Sequence, residues 1–213
     1  MPLLYIKNLD KVTRLGIWKV EESIDELQSK LILNKQELNF FSNLKKGKRN
    51  LHWLAGRVML RDLLETSGFI EVIEDEFGKP YLPDFDFELS ITHSYDYAGV
   101  IISKSKVGID IEKIKKDLKS IAPKFLSVQE LNKLDINNYK SQLYLFWCIK
   151  ECLYKLYGKK ELAFKENIKI KSFDLSSIGK VIAEITKDNY HKEFEVCYEE
   201  FVPEYMLAYT IDC

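Results

Sequence analysis

Two long stretches of helical periodicity, residues 49–67 and 139–157, each lie between runs of strand-like alternation, and that order constrains the fold of this chain more than any other feature. In the first, Leu51, Leu54, Ala55, Val58 and the apolar positions from Leu60 to Leu64 form a wide stripe, and Gly68 follows as a stop. The second ends at Gly158. Asn34 with Glu37, and Ser127 with Glu130, have capping-box spacing, which predicts a helix from 34 that stops at Gly47 and a shorter one after 127. Short apolar or alternating runs predict strands at 3–6, 15–20, 88–92, 98–103, 107–111, 181–186, 194–199 and 206–211. Strand, helices, strands, then helices and strands again is the order of an α+β fold with two related halves. No residue-level repeat links them; the divide is set near Ser105, giving halves 1–104 and 105–213.

Composition narrows the function. Lys plus Arg total 32 against 33 for Asp plus Glu, so bulk charge gives no basis for a nucleic-acid binder, and any polyanion site must be local. No run avoids charge for the roughly 18 residues a membrane span needs, and residues 1–10 carry Lys7 and Asp10 where a signal peptide would be apolar. A cytoplasmic protein is expected. Cys148, Cys152, Cys197 and Cys213 form no C-x-x-C pair, and with three histidines in the chain they make no zinc framework. They read as reduced, structural thiols.

Four groups of residues could carry chemistry. In Val107-Gly108-Ile109-Asp110-Ile111-Glu112, strand geometry puts both carboxylates on one face and Ile109 and Ile111 on the other. Such a pair either holds a hard cation with oxygen ligands or is a solvated strand face. Trp147, Glu151 and Lys155 are four apart on the long helix, with Lys150 beside them. They make an exposed Glu-to-Lys pair or, given the tryptophan, the wall of a crevice. Lys45, Lys46, Lys48, Arg49, Arg57 and Arg61 occupy a stretch without an acid, a local anion site or a basic helix edge; Arg57 and Arg61, one turn apart, could present two guanidinium groups to a phosphate. His93 follows Thr92 at a strand end, and Phe77-Gly78-Lys79-Pro80 is a turn that directs Lys79 to a ligand or to water.

Taken in order, Ala55-Gly56-Arg57, Phe77-Gly78-Lys79-Pro80, Thr92-His93-Ser94, Gly108-Ile109-Asp110-Ile111-Glu112 and Trp147-Cys148-Ile149-Lys150-Glu151 continuing to Lys155 and Gly158 resemble the 4′-phosphopantetheinyl transferase superfamily, in its double-length, Sfp-like type. The resemblance spans roughly residues 45 to 160. It implies a pseudo-dimer of two similar halves with coenzyme A in the cleft between them, a monomer, and transfer of phosphopantetheine from coenzyme A to a serine of an apo acyl or peptidyl carrier protein, releasing adenosine 3′,5′-bisphosphate. Asp110, Glu112 and Glu151 would hold magnesium on the pyrophosphate, with Lys155 beside the transferred phosphate and Glu151, directly or through water, as a base for the serine. Arg57, Lys79, Thr92, His93 and some of Lys45, Lys46, Lys48 and Arg49 would contact the nucleotide end. Three positions depart from the family pattern: Thr92 stands for serine, Cys148 for serine or threonine, and Lys159, Lys160 and Glu161 follow Gly158 where a glycine and leucine are usual. A magnesium-dependent phosphate hydrolase and a noncatalytic coenzyme A or carrier-binding module are the competing readings.

Overall fold

Strand β1 (Leu3–Asn8) turns back into β2 (Arg14–Lys19) because Asp10 accepts the Val12 and Thr13 N–H groups on Oδ1 at 2.7 and 2.8 Å. This computed structural model describes residues 3–44, 47–135, 137–171 and 176–212. Helix α1 (Ile24–Gln28) begins at a capping box between Ser23 and Glu26, and α2 (Lys35–Asn43) at the one predicted between Asn34 and Glu37. Helix α2 ends at Leu44, whose extended backbone stops the chain short of Gly47. Helix α3 (Lys48–Leu64) likewise ends before residue 67: Glu65 takes the left-handed conformation at φ 53°, and Thr66 N–H closes back on the Arg61 carbonyl, so Gly68 is not its terminator.

A small hairpin, β3 (Ile73–Glu74) with β4 (Pro80–Tyr81), leads into β5 (Glu88–Ser94), β6 (Tyr97–Ser103) and β7 (Val107–Lys113). Short helices α4 (Ala122–Phe125) and α5 (Val128–Leu131) precede α6 (Tyr139–Tyr157), which Gly158 caps at φ 70°; α7 (Phe164–Asn167) follows. The chain closes with β8 (Ile168–Ile170), β9 (Ile178–Lys187), β10 (Tyr190–Val202) and β11 (Tyr205–Ile211).

The strands form an antiparallel sheet in the order β1-β2-β6-β5, a second in the order β7-β11-β10-β9-β8, and the β3-β4 hairpin. Each large sheet carries one long helix. Leu54, Ala55, Val58, Met59 and Leu63 of α3 pack on Leu89, Val100 and Ile102, while Ile149, Cys152, Leu153 and Leu156 of α6 pack on Val181, Ala183, Ile185 and Val196. Full burial of each such Leu or Ile contributes about 1.5–3 kcal/mol. A third cluster, including Leu15, Ile17, Ile101, Ile109, Ile111 and Leu207, joins the two sheets.

The seam between the sheets is stitched by side chains. One edge of β7 pairs with β11. On its other side, Ser90, Thr92 and Ser94 of β5 accept the N–H groups of Ile109, Ile111 and Lys113 at 3.2, 3.1 and 3.1 Å. Period-two hydroxyls on one strand thereby satisfy period-two amides on the other, which would otherwise be buried without partners. No helix among the described residues is long and apolar enough to cross a membrane.

Candidate active site

Helix α6 lies directly on β7 because residue 108 has no side chain: a Cβ there would stand 2.1 Å from the Cys152 carbonyl oxygen. That contact brings Asp110 and Glu112 of β7 against the α6 face that carries Trp147, Glu151 and Lys155. Asp110 is 5% exposed. Its Oδ1 accepts from Lys155 Nζ at 2.7 Å and from the Thr92 hydroxyl at 3.0 Å, and Lys155 Nζ also donates to the Ile109 carbonyl at 3.1 Å. Asp110 Oδ2 is buried without a hydrogen-bond partner in the protein. Glu112 accepts the Trp147 indole N–H at 2.9 Å, and the indole is held between Phe125 and Phe164 at centroid distances of 5.0 and 5.5 Å.

Electrostatics couples the three acids. Burial, then the Asp110 carboxylate, pushes Glu112 up to about 7, with Glu151 adding to the rise and the Trp147 bond and Lys155 opposing it. Burial and Asp110 likewise push Glu151 up to about 7 against the pull of Lys155. Burial works against the Lys155 charge, yet Asp110 and Glu151 hold its ammonium above the ordinary lysine range. The partner of Lys155 is thus Asp110 on β7, not Glu151 one turn away. No group of three or more His, Cys, Asp or Glu side chains among the described residues is already arranged as a metal cage. The donor set nonetheless fits a hard cation: Asp110 offers an unpaired buried oxygen, two neighbouring carboxyls gain from a positive charge, and magnesium usually takes only one or two protein carboxylates beside water and phosphate oxygens.

Cys148 is buried under this site, its S–H donating to the Asp110 carbonyl at 3.2 Å. Burial first, then Asp110, holds its thiol well above the usual range, so it is an unreactive packing group that retains a weak donor where a hydroxyl would stand. Lys150 points away from the site. Fully buried, it donates to Glu130 at 3.0 Å and to the Phe164 and Ile168 carbonyls at 3.0 and 2.7 Å, binding α5, α6 and β8 together.

Two neighbouring cavities share Pro80 and Ile91; Lys155 lines one of them, and none of the three acids lines either. The smaller, about 230 Å³, is lined by Phe77, Lys79, Tyr154, Lys155 and Gly158. Lys79 Nζ lies 3.5 Å from the Leu156 carbonyl at the end of α6 and 3.4 Å from Glu88, so the turn directs it to the C-terminus of the helix. Its side chain passes over Gly158, where a Cβ would come within 2.6 Å of it. The larger cavity, about 560 Å³, is lined by Arg49, His52, Trp53, Arg57 and His93, with Glu37 and Phe40 of α2 opposite.

Not every residue expected to meet the nucleotide faces a cavity. Thr92 is 3% exposed and spends its hydroxyl on Asp110 and Ile111, lining neither space; its chemistry is directed to the acids. Lys48 pairs at the surface with Asp96 at 2.5 Å. Arg57 donates to Glu37 at 3.2 Å and lies 3.5 Å above the Trp53 ring, whereas Arg61 donates to the Ser67 carbonyl, so the two guanidinium groups form no shared fork. The acids that answer this basic stretch come from outside it. Lys45 and Lys46 lie outside the described residues. The sequence pattern marks Glu37 only as a helix cap and does not mark His52 or Trp53; a polar histidine on the apolar side of α3 is the one available signal.

Residues 106–210 match the family model of the 4′-phosphopantetheinyl transferase superfamily, a span that contains β7, α6 and all three acids. Residues 106–210 belong to this superfamily. The chain is 34% identical over 118 residues to 4′-phosphopantetheinyl transferase gsp of Aneurinibacillus migulanus, covering 49% of each chain. It is 31% identical over 115 residues to 4′-phosphopantetheinyl transferase Sfp of Bacillus subtilis strain 168, covering 50% of this chain and 51% of the relative. With 4′-phosphopantetheinyl transferase ffp of Bacillus subtilis the identity is 28% over 152 residues, 65% of each. The chain spans about half the length of the first two curated relatives. The whole chain has the α+β architecture, one long helix on each large sheet.

Proposed function

We propose that this chain is a magnesium-dependent 4′-phosphopantetheinyl transferase that moves phosphopantetheine from coenzyme A to a serine of an apo acyl or peptidyl carrier protein and releases adenosine 3′,5′-bisphosphate. The observation that carries the reading is the convergence of Asp110, Glu112, Glu151 and Lys155 at the β7–α6 contact, with one Asp110 oxygen buried and unpaired. A noncatalytic binding module would have no use for a buried carboxylate oxygen left unpaired.

In this reading the serine oxygen attacks the phosphorus that bears pantetheine. The bond from that phosphorus to the bridging oxygen breaks, the electron pair leaves on adenosine 3′,5′-bisphosphate, and the serine proton passes to the Glu151 carboxylate. In the metal-free protein burial and the Asp110 charge raise Glu151 to about 7, so this carboxylate takes up a proton more readily than an ordinary one. Asp110, Glu112 and Glu151 would hold the magnesium ion, which when bound supplies positive charge to the pyrophosphate oxygens. Lys155 lends its ammonium to the phosphate in flight, and Thr92 holds the Asp110 carboxylate in place. Lys79 and Arg49 serve the nucleotide end with His93, and Arg57 joins them on release from Glu37; Lys48 contributes at longer range. The two sheet-and-helix halves, 1–104 and 105–213, stand as a pseudo-dimer within one cytoplasmic, monomeric chain.

The test is incubation with coenzyme A, magnesium and apo carrier proteins of both kinds, followed by intact-mass measurement of the carriers. Gain of one phosphopantetheine, lost with Asp110→Ala, is the expected result. Cleavage of coenzyme A without carrier modification would identify a hydrolase, and binding without either a noncatalytic module.

A further inference from the structure

His93 does not stand alone at the rim of the larger cavity. Its imidazole is stacked on that of His52 at a centroid distance of 4.5 Å, with planes 9° apart. His52 is 7% exposed on α3, and its Nε2 lies 2.8 Å from the Tyr95 carbonyl. A carbonyl only accepts, so Nε2 carries the proton, and the ring is held from the β5–β6 turn. That turn is itself constrained: Tyr95 takes a left-handed φ of 51°, and Asp96 beside it accepts from Lys48 and from the Tyr205 hydroxyl. The inner ring is therefore fixed from two elements, and it presents its face, not its edge, to the outer ring. His93 lies open to the cavity that Arg49 and Arg57 also line.

We propose that His52 is a positioning residue for His93: it fixes the plane of the His93 imidazole at the cavity rim, so that a nucleotide phosphate entering there meets a ring already oriented. The role rests on the coenzyme A reading above, which supplies the phosphate. Ordering the ring beforehand removes an entropic cost that binding would otherwise carry, and the stack limits the ring to motions within its own plane. The surrounding charges act in the same sense. His93 faces His52 and Arg49 of α3 and Lys155 of α6, while Lys48 of α3 and Asp96 of the turn act on His52. Desolvation in the cleft, then His52, Lys155 and Arg49, brings His93 down to about 4. The free protein thus presents a neutral ring, able to donate one hydrogen bond without repelling its stacked neighbour.

Immobilising one side chain in advance is worth about a two- to tenfold gain in affinity, so His52→Ala should weaken coenzyme A binding, read by calorimetry, by that factor. His52→Phe keeps a ring face without the Tyr95 bond and should recover most of the loss; His52→Gln keeps a donor without the face and should not. The deciding measurement is the double-mutant cycle: in the His93→Ala background, His52→Ala should cost nothing further. An undiminished loss in that background, or no loss from His52→Ala alone, overturns the proposal. Failure of the unaltered protein to bind coenzyme A would refute the transferase reading instead. In that case side-chain NMR of the ligand-free protein still decides the positioning role: His52→Ala must shift the His93 ring resonances and raise its titration midpoint, and unchanged signals would dismiss it.

Discussion

Replacing Glu112 by glutamine should make the metal-free protein more stable, although it removes a group proposed to serve the reaction. Lifting a carboxyl from its ordinary 4.5 to about 7 makes its ionised form costlier by about 3 kcal/mol, at about 1.4 kcal/mol per pH unit. Glu112 keeps one side toward water, which screens the charge, so about 1–2 kcal/mol is expected to survive. The sign follows from proton counting. Between 4.5 and 7 the folded carboxyl holds a proton that the unfolded chain has released, so stability falls as pH rises through that window and stays low above it. Glutamine cannot ionise, yet its oxygen still accepts the Trp147 N–H. In chelator at pH 8, urea unfolding followed by circular dichroism should therefore show Glu112→Gln more stable than the unaltered protein by about 1–2 kcal/mol, with the gap nearly closed at pH 5. Magnesium at pH 8 should then raise the stability of the unaltered protein more than that of the variant, since a cation that binds only the folded state stabilises it by mass action. A variant less stable at pH 8 in chelator would refute the charge argument; equal stabilisation of both proteins by magnesium would remove Glu112 from the metal site.

Lys155→Ala should lower kcat and kcat/KM together, as expected of a charge used mainly in the transition state, and arginine should rescue it only in part; steady-state kinetics with unchanged turnover would dismiss the role. Lys150→Met should destabilise the fold by about 3–5 kcal/mol in urea unfolding, because Glu130 and the Phe164 and Ile168 carbonyls lose their buried partner. Glu37→Gln should tighten coenzyme A binding in calorimetry, since a phosphate no longer competes with a carboxylate for Arg57, whereas weaker binding would make that pair a structural support of the cavity.

Local pattern made much of this protein legible. The capping boxes at Asn34 and Ser127 and the stop at Gly158 are contacts within a few residues, and they appear as the spacing predicts. Where a helix end depends on other parts of the chain, spacing failed: α3 stops at Glu65, which pairs with Arg14 from β2, before the glycine that its pattern suggests. The same division runs through the candidate site. Asp110 and Glu112 on one strand face, and Glu151 and Lys155 on one helix face, follow from periods of two and about four that the sequence carries by itself. Which acid Lys155 meets, that Thr92 serves Asp110, that Arg57 is answered by Glu37, and that His52 lies under His93 are pairings between residues 18 to 45 positions apart and on different elements. A one-dimensional pattern holds the orientation of a side chain relative to its own helix or strand. Its partner is chosen only when elements pack, and here that choice depends on Gly108, whose missing Cβ lets α6 come down onto β7.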